Sequence, residues 1–251
     1  MKKISIFVLV VFSLLVCSVA QSAPPIFKEK KLFGPIPYNS LSIAAGFLDG
    51  ADFNYLTEHF ENWAKARNGD DTFEELSPAP YGRVSYERQL TPNHFFKGSA
   101  SMSYIHTSSV GNYVAVFPDT NYALDIERTL KVYLLSFEAG FSYCFISPEP
   151  QRFSPYVGAG FAAVVPMVRL DTKSTMSDGT PFSNPGENVS QNSFQAGLHM
   201  EFGMTYFITN RYAAGLEGKY QMSQSKFDIH GGNFDLRYTG FILSLNLIYY
   251  L

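Results

Sequence analysis

The chain ends in a run of residues whose side chains alternate in character. From Phe241 onward the odd positions are all apolar or aromatic: Phe241, Leu243, Leu245, Leu247, Tyr249 and Leu251. The positions between them include Ser244 and Asn246. Because successive side chains of a β-strand point to opposite faces, such a strand has one face that is apolar along its whole length. In an exported chain, lipid is the simplest surrounding for that face, so the ending predicts a membrane-spanning strand.

The first residues predict export. Lys2 and Lys3 give a basic start, an apolar run extends from Ile4 to Val16, and Ser18-Val19-Ala20 supplies the small residues that signal peptidase requires. We expect cleavage after Ala20, so that residues 1–20 are a signal peptide and take no part in the fold.

Charge, cysteine count and the length of apolar runs exclude several classes of protein. Without Lys2 and Lys3, the 19 basic and 22 acidic side chains become 17 and 22, and a net charge of −5 gives no reason to expect nucleic acid as a partner. Only Cys144 remains after cleavage, so no intramolecular disulfide can form. No apolar run after the signal approaches the ~20 residues of a membrane-spanning helix. Export, 16 Tyr, 23 Phe and alternating strands together predict a transmembrane β-barrel.

Eight segments show a strand-like period. We predict strands at 39–49, 80–91, 95–107, 131–146, 154–166, 191–208, 211–226 and 235–251. Short turns are predicted at 91–94, 147–152 and 209–211, and long connections at 50–79, 108–130 and 167–190, with a shorter one near 227–234. The fold class is therefore all-β: a single eight-stranded antiparallel transmembrane barrel over 39–251, preceded by a periplasmic lead-in at 21–38. Alternating connection lengths place the short turns and both termini in the periplasm.

The segment Ser154-Pro155-Tyr156-Val157-Gly158-Ala159-Gly160-Phe161 resembles the Pro-Tyr-x-Gly-x-Gly strand of small bacterial outer-membrane barrels. With the C-terminal strand, it makes residues 39–251 similar to the eight-stranded OmpA/OmpX/OmpW-type superfamily. The resemblance implies a bacterial outer-membrane location, a monomer, surrounding lipid or lipopolysaccharide, and recognition by the barrel-assembly machinery. These families usually end in Phe, whereas this chain ends in Leu251, so recognition would pass through Tyr249.

Charged side chains are predicted on the inward faces of several strands. They are Arg83, Glu87, Lys97, Glu138, His199, Glu201, Glu217 and Lys219. Eight strands enclose little more room than their own side chains need, so each charge must be paired or solvated. We favour a structural network of ion pairs, and the alternative is a gated narrow pore lined by the same groups. His199 near Glu201 also fits a metal site or a proton switch, but we expect an ordinary interior pair and no metal or cofactor.

His106 and Ser108 are weak candidates for catalysis. Both lie on one face of a strand, the outer one by parity with Tyr104, and the pair resembles that of the lipid A deacylase barrels. A Ser nucleophile needs its His oriented by a third group, which Asp125 or Glu127 would supply. The Asn that follows the Ser in that family is replaced by Ser109, and a plain polar surface is the simpler interpretation.

An amphipathic helix is predicted at 53–66, inside the first long connection. Its apolar positions are Phe53, Leu56, Phe60 and Trp63. Three interpretations stay open: the helix lies on the outer leaflet, it covers the barrel mouth as a lid, or it packs against other loops.

The sequence thus predicts an outer-membrane barrel that anchors extracellular loops and contributes to envelope integrity or surface interaction, an adhesin included. One alternative is a narrow channel for small or hydrophobic molecules, with an opening near Tyr156, Gly158 and Gly160. The other is a lipid A-modifying enzyme that uses His106 and Ser108.

Overall fold

The structure, a computed structural model, describes residues 38–49, 54–66, 69–70, 72–74, 78–117, 120–145, 152–176, 178–182, 188–229 and 232–251. The predicted signal peptide and nearly all of the predicted lead-in lie outside these residues. The elements, in chain order, are β1 (Asn39–Leu48), α1 (Asn54–Lys65), β2 (Thr72–Phe73), β3 (Ala79–Thr91), β4 (His94–Phe117), β5 (Thr120–Cys144), β6 (Phe153–Met176), β7 (Pro181–Phe182), β8 (Val189–Asn192), β9 (Gln195–Phe207), β10 (Tyr212–Ile229) and β11 (Gly232–Tyr250).

Eight of these strands form a closed ring. Neighbours pair antiparallel in the order β1-β3-β4-β5-β6-β9-β10-β11, and β11 returns to β1, with Ser40 opposite Tyr250 and Leu48 opposite Ile242. Closure gives every strand of the ring two hydrogen-bonded neighbours, which a sheet in lipid requires. The prediction of an eight-stranded antiparallel barrel is confirmed. The short strands β2, β7 and β8 are additions that pair with β4 or β6.

Side chains alternate around the ring as the sequence predicts. On β11, Leu245 is 68% exposed whereas Ile242 is 2% exposed. The outward apolar side chains form a belt around the barrel, which includes Ile43, Val84, Met102, Phe137, Phe161, Met200, Leu216 and Leu245. The inward side chains of the same strands are largely polar or charged. An apolar outside around a polar inside is the arrangement of a barrel that sits in lipid.

The two ends of the barrel differ. The predicted turn at 91–94 is a hairpin between β3 and β4, in which the His94 amide donates to the Thr91 hydroxyl at 3.1 Å. The turn at 209–211 is confirmed too, with the Tyr212 amide donating to Thr209 Oγ1 at 3.0 Å. The turn predicted at 147–152 lies mostly outside the described residues. We call this end, which also holds Asn39 and Tyr250, the turn end, and the opposite one the loop end.

Three strands are longer than predicted and extend beyond the belt at the loop end. β4, β5 and β6 contain 24, 25 and 24 residues, so the connections predicted at 108–130 and 167–190 are largely strand. A tilted strand needs only about 9–11 residues to cross the membrane. The alternation also reverses there. On β5, Leu124, Ile126 and Leu130 are buried, while Asp125 and Glu127 are exposed. Apolar inside and polar outside is the pattern of a sheet in water, and the prediction missed it because it searched for apolar residues outside.

The strand predicted at 191–208 is two strands. β8 pairs with β6 at Met167–Leu170, and β9 pairs with β6 closer to the turn end, from Phe153 to Val164. Ser193 and Phe194 interrupt the ladder between them, and the Phe194 side chain is exposed. The predicted connection near 227–234 is instead the tip of the β10–β11 hairpin, where Ile229 lies opposite Gly232.

The helix predicted at 53–66 is confirmed as α1. Its side chains at Leu56, Phe60 and Ala64 are fully buried, four residues apart along one face, whereas Phe53 and the Trp63 side chain lie outside what the structure describes. Leu56 and Phe60 belong to one apolar cluster with inward side chains of the barrel, which include Ile105, Leu130, Val132, Leu134, Val164, Val168, Leu170 and Ile242. Of the three interpretations, the helix therefore fits the lid over the barrel mouth.

The helix is tied to the barrel by the segment that follows it. The Gly69 amide donates to the Ala64 carbonyl at 3.0 Å and closes the last turn. The Phe73 amide on β2 donates to Glu61 Oε1 at 3.0 Å, and the Phe73 ring lies 6.3 Å from that of Phe60. Among the residues described, no helix is long and apolar enough to cross a membrane.

The belt predicts how a charge acts on the outside of the barrel. We expect Leu245→Arg to lower the free energy of unfolding by about 2–4 kcal/mol, because the guanidinium would be forced into lipid. Urea unfolding of the protein in lipid vesicles measures this. Val110→Arg is the matched control, since Val110 is 69% exposed but lies on β4 beyond the belt. Equal losses for the two variants would contradict the position of the belt.

Candidate functional site

The lumen contains a buried carboxylate that accepts hydrogen bonds from three strands. Glu217 on β10 accepts from Lys97 Nζ on β4 at 2.7 Å and from Tyr156 Oη on β6 at 2.6 Å. It also accepts from both terminal nitrogens of Arg83 on β3, one of them at 3.1 Å. The Glu217 side chain is 1% exposed. These contacts cross the lumen, because β3 and β10 are separated along the ring by β1 and β11.

The cations around Glu217 have further partners. Lys97 Nζ also donates to Glu201 Oε2 on β9 at 2.8 Å. Arg83 Nη2 also donates to Asn246 Oδ1 on β11 at 3.0 Å. Five strands of the ring, β3, β4, β9, β10 and β11, are therefore joined through two cations.

A second ion pair completes the network. Lys219 Nζ on β10 donates to Glu138 Oε1 on β5 at 2.5 Å and to Tyr81 Oη on β3 at 3.1 Å. Glu138 also accepts from Ser99 at 2.9 Å and from Ser136 at 3.2 Å. Arg83, Lys97 and Lys219 balance Glu138, Glu201 and Glu217 in charge, which is what buried ions need if each is to be compensated.

The structure places the two other predicted interior residues at the edges of this network. Glu87 is half-buried on β3, opposite Lys97 in the β3–β4 register, and faces a small cavity. His199 on β9 is buried, and its Nδ1 has no hydrogen-bond partner among the described residues. Within those residues, no group of three or more His, Cys, Asp or Glu side chains could hold a metal ion.

Glycines in the wall make room for these side chains. A Cβ at Gly158 would lie 2.8 Å from Glu201, one at Gly160 would lie 2.7 Å from the His199 ring, and one at Gly203 would lie 2.6 Å from the Tyr156 ring. The opening predicted near Tyr156, Gly158 and Gly160 is therefore occupied. From the sequence, the glycines of β6 suggested an opening, but side chains of the neighbouring strand β9 occupy the space beside them.

Two small cavities lie in the part of the lumen that the structure describes. A cavity of about 30 Å³ lies toward the turn end, lined by Glu87, Ser154, Thr205, Asn246 and other residues. A second cavity of about 10 Å³ lies toward the loop end, lined by Tyr81, Ser101, Gln221, Tyr238 and others. A cavity needs roughly 10–15 Å³ to hold one water molecule, so these spaces suit a few waters and no larger solute. The ion network lies between them.

Sequence reasoning missed the polar partners of the network. Tyr81 shares the parity of Arg83 on β3, and Tyr156 shares the parity of Gly158 on β6, so both were recognisable as inward residues. Asn246 is inward by the alternation of β11 itself. Which cation meets which carboxylate was not recognisable, because the stagger of the strands sets those pairings and the sequence does not state it.

His106 and Ser108 face outward on β4, as predicted. The His106 ring stacks on Tyr104, with 5.5 Å between ring centroids and 6° between planes. Ser108 lies opposite Thr129, whereas Glu127 and Asp125 lie opposite Val110 and Asn112, farther along the hairpin. Among the described residues, no hydrogen bond joins His106 to Ser108 or to either carboxylate. The described part of the chain therefore offers a His and a Ser on one face but no group that orients the His.

The predicted assembly strand is β11. Leu243, Leu245, Leu247 and Leu251 are exposed on the outside of the barrel. The Tyr249 ring lies 5.2 Å from that of Tyr212, and the Phe241 ring stacks on Phe202 at 6.1 Å. The apolar face is thus presented outward up to the last residue, and its recognition by assembly machinery stays a prediction.

Comparison with known families gives no match, and no curated protein matches the sequence. Solved structures do match. Neisserial surface protein A is 11% identical, with 85% of this chain and 97% of that protein covered and a TM-score of 0.44. The outer membrane protein OprG from Pseudomonas aeruginosa is 12% identical, with 86% and 98% covered and a TM-score of 0.44. Ail, the attachment invasion locus protein of Yersinia pestis, is 12% identical, with 84% and 99% covered and a TM-score of 0.39. With scores below 0.5, the class of this protein rests on its own strand pairing and belt.

A closed ring of eight antiparallel strands, apolar outside and charge-paired inside, defines a small transmembrane β-barrel. The eight-stranded barrel architecture that the OmpA/OmpX/OmpW-type resemblance implied is confirmed by the strand pairing.

The network predicts a large cost for removing its central carboxylate. We expect Glu217→Ala to lower the free energy of unfolding by about 3–5 kcal/mol, because it leaves Arg83 and Lys97 buried without their shared anion. Urea unfolding in vesicles measures the loss. Glu127→Ala, which removes an exposed carboxylate from β5, should stay within about 0.5 kcal/mol. A small loss for Glu217→Ala would show that water replaces the carboxylate and that the lumen is wetter than described.

Proposed function

We propose that this chain is a sealed outer-membrane barrel that displays a β-structured extension at the cell surface and contributes there to envelope integrity or surface interaction. Its signal peptide would be removed after Ala20, and the loop end would face outward. One observation carries the proposal: charged side chains from opposite walls meet across the lumen, and the apolar cluster above them includes Leu56 and Phe60 of α1.

The seal has two layers of different chemistry. The lower layer is the ion network, in which Lys97 and Glu217 join β4 to β10 at 2.7 Å across the lumen. The upper layer is the apolar cluster to which Leu56 and Phe60 of α1 and the inward side chains of the ring both belong. A solute that displaced the helix would still meet the network, so neither layer alone controls passage.

The surface role is supported by the strands beyond the belt. We use the term extension for residues 106–117 of β4, 120–131 of β5 and 169–176 of β6. Where its side chains are described, the outward ones are polar apart from Ala123 and Val110. The inward ones include the apolar Leu124, Ile126, Leu130 and Leu170 and the polar Thr107, Ser109, Arg128 and Ser174. A sheet with its own apolar core holds its outer face rigidly, which is how scaffolds present binding residues. The protein therefore has ordered β-structure beyond the membrane, which conduction through the barrel would not require.

Conductance tests the seal. We expect the protein, extracted from outer membranes and inserted into planar bilayers, to give no discrete conductance steps. Phe60→Asp, which disrupts the apolar layer, should stay silent as well, because the ion network remains in place. The heat-modifiable gel shift shows in each case that the barrel is folded. Discrete steps from the unmodified protein would contradict the proposal and favour the narrow channel.

A second candidate, a lipid A-modifying enzyme, is favoured only by the outward position of His106 and Ser108. We expect His106→Ala and Ser108→Ala to leave the mass of lipid A unchanged in cells that express the protein, because none of the residues that the structure describes orients the imidazole. Asn112→Ala, an exposed neighbour on β4, is the control. A change in lipid A acylation that appears with the unmodified protein and disappears with either variant would establish the enzyme.

A further inference from the structure

The belt ends at a pair of tyrosines on the outside of β4 and β5. The rings of Tyr104 and Tyr133 lie opposite each other, with 4.8 Å between their centroids. On the side of the turn end, the outward residues are apolar, with Met102 and Phe137 more than half exposed. Tyrosine is enriched where hydrocarbon meets headgroups, so this pair marks the level of the lipid headgroups on this side of the barrel.

A row of basic side chains follows directly after the tyrosines. His106, Lys131 and Arg169 are register partners on the adjacent strands β4, β5 and β6, and all three side chains point outward. Because neighbouring strands lie about 4.8 Å apart, the three residues are attached within roughly 10 Å of one another. Like charges directly opposite each other destabilise a sheet unless an anion lies between them.

The protein supplies one anion for the two permanent cations. Asp171, two residues beyond Arg169 on β6, accepts from Lys131 Nζ at 2.7 Å and from Arg169 Nε at 2.7 Å. These bonds hold both side chains against the wall, but they use one of the three N–H groups of the ammonium and one of the five of the guanidinium. The Arg169 side chain remains 62% exposed. A charge of +1 and several donors are left over, at the height of the headgroups.

We propose that His106, Lys131 and Arg169 form a binding site for the phosphate of an outer-leaflet lipid headgroup, of the phosphorylated lipid A type. The chemistry fits because a guanidinium and an ammonium side by side present several N–H donors to phosphate oxygens. The lipid is the source, rather than a free phosphate, because the row adjoins the belt on which acyl chains pack. The inference rests on the orientation proposed above, in which the loop end faces the outer leaflet.

An intramolecular ion pair alone does not explain the row. Exposed pairs of this kind contribute about 0–1 kcal/mol to stability, so stability gives little reason for two cations to share one carboxylate. Lys173 provides the contrast, since it lies outward on the same strand beyond Asp171 and has the carboxylate of Glu127 as its register partner. The cation that lies farther from the belt has one carboxylate opposite it in the register, whereas the row beside the belt has two permanent cations for one carboxylate.

Native mass spectrometry of the detergent-extracted protein tests the site. Three probes are added separately: bisphosphorylated lipid A, its dephosphorylated form, and inorganic phosphate. We expect the phosphorylated lipid alone to remain bound. Lys131→Gln and Arg169→Gln should each weaken its binding about fivefold, the effect of one basic residue near an anionic membrane surface. Lys173→Gln is the matched control with the same change of charge, and its binding should equal that of the unmodified protein. The heat-modifiable gel shift confirms folding for each variant.

Two results would overturn the proposal. Equal binding of the phosphorylated and dephosphorylated lipids would show that acyl chains, and no phosphate site, hold the lipid. Equal weakening by Lys173→Gln would show that net charge matters and that the row does not. Binding of inorganic phosphate with the same dependence on Lys131 and Arg169 would also overturn it, by assigning the site to a soluble ligand. None of these results depends on conductance, so the proposed phosphate site and the proposed sealed lumen are tested independently.

Discussion

The Glu217 carboxylate is the interaction on which the interior of this barrel depends. It is buried, and it is compensated by an arginine, a lysine and a tyrosine that come from three other strands. A charge in that position is tolerated only while all its partners are present, and the same is true of each cation around it. The network therefore specifies the stagger of the strands: a slip of one strand by two residues would keep every apolar side chain outside but would separate the ions from their partners. The belt holds the barrel in lipid, and the ion network selects one stagger of the strands among those that the belt would allow.

Above the ion network, the surroundings of the barrel change from lipid to water. From the tyrosine pair toward the loop end, apolar side chains move from the outside of the sheet to the inside, and α1 completes their burial. The lower half thus has lipid around a polar centre. The upper half has water around a centre in which apolar side chains lie beside buried polar groups such as Arg128. The two halves share strands, and at the boundary between them both faces are apolar, as at Leu134 and Leu135 on β5.

The ring of strands could be predicted from the sequence, but the pairing of the side chains inside it could not. The alternation in β11, in β9 and in the lower parts of β4 and β5 has a fixed period and one apolar face, which identifies lipid-facing strands without knowledge of their neighbours. The extension was missed because its apolar phase is opposite: Leu124, Ile126 and Leu130 occupy even positions and are buried, whereas Phe137 and Phe141 occupy odd positions and are exposed. A search for a change of phase would have found the point where β5 leaves the membrane. The pairing of Lys97 with Glu217, and the filling of the space beside Gly160 by His199, depend on strand stagger and on side chains far apart in sequence.

The β4–β5 hairpin joins residues that are close together in the chain along its whole length, from Phe117 opposite Thr120 to His94 opposite Tyr143. Pairing of its two strands can spread from the hairpin tip with almost no loss of loop entropy. The contact between β1 and β11 is the opposite case, since it brings together the two ends of the described chain and gains nothing until every strand between them is in place. The hairpins β4–β5 and β10–β11 are both local, so the pairing favours an order in which hairpins form early and the seam between β1 and β11 closes last. A strand that remains without its second neighbour until the last step is also the strand most accessible to whatever guides the barrel into the membrane.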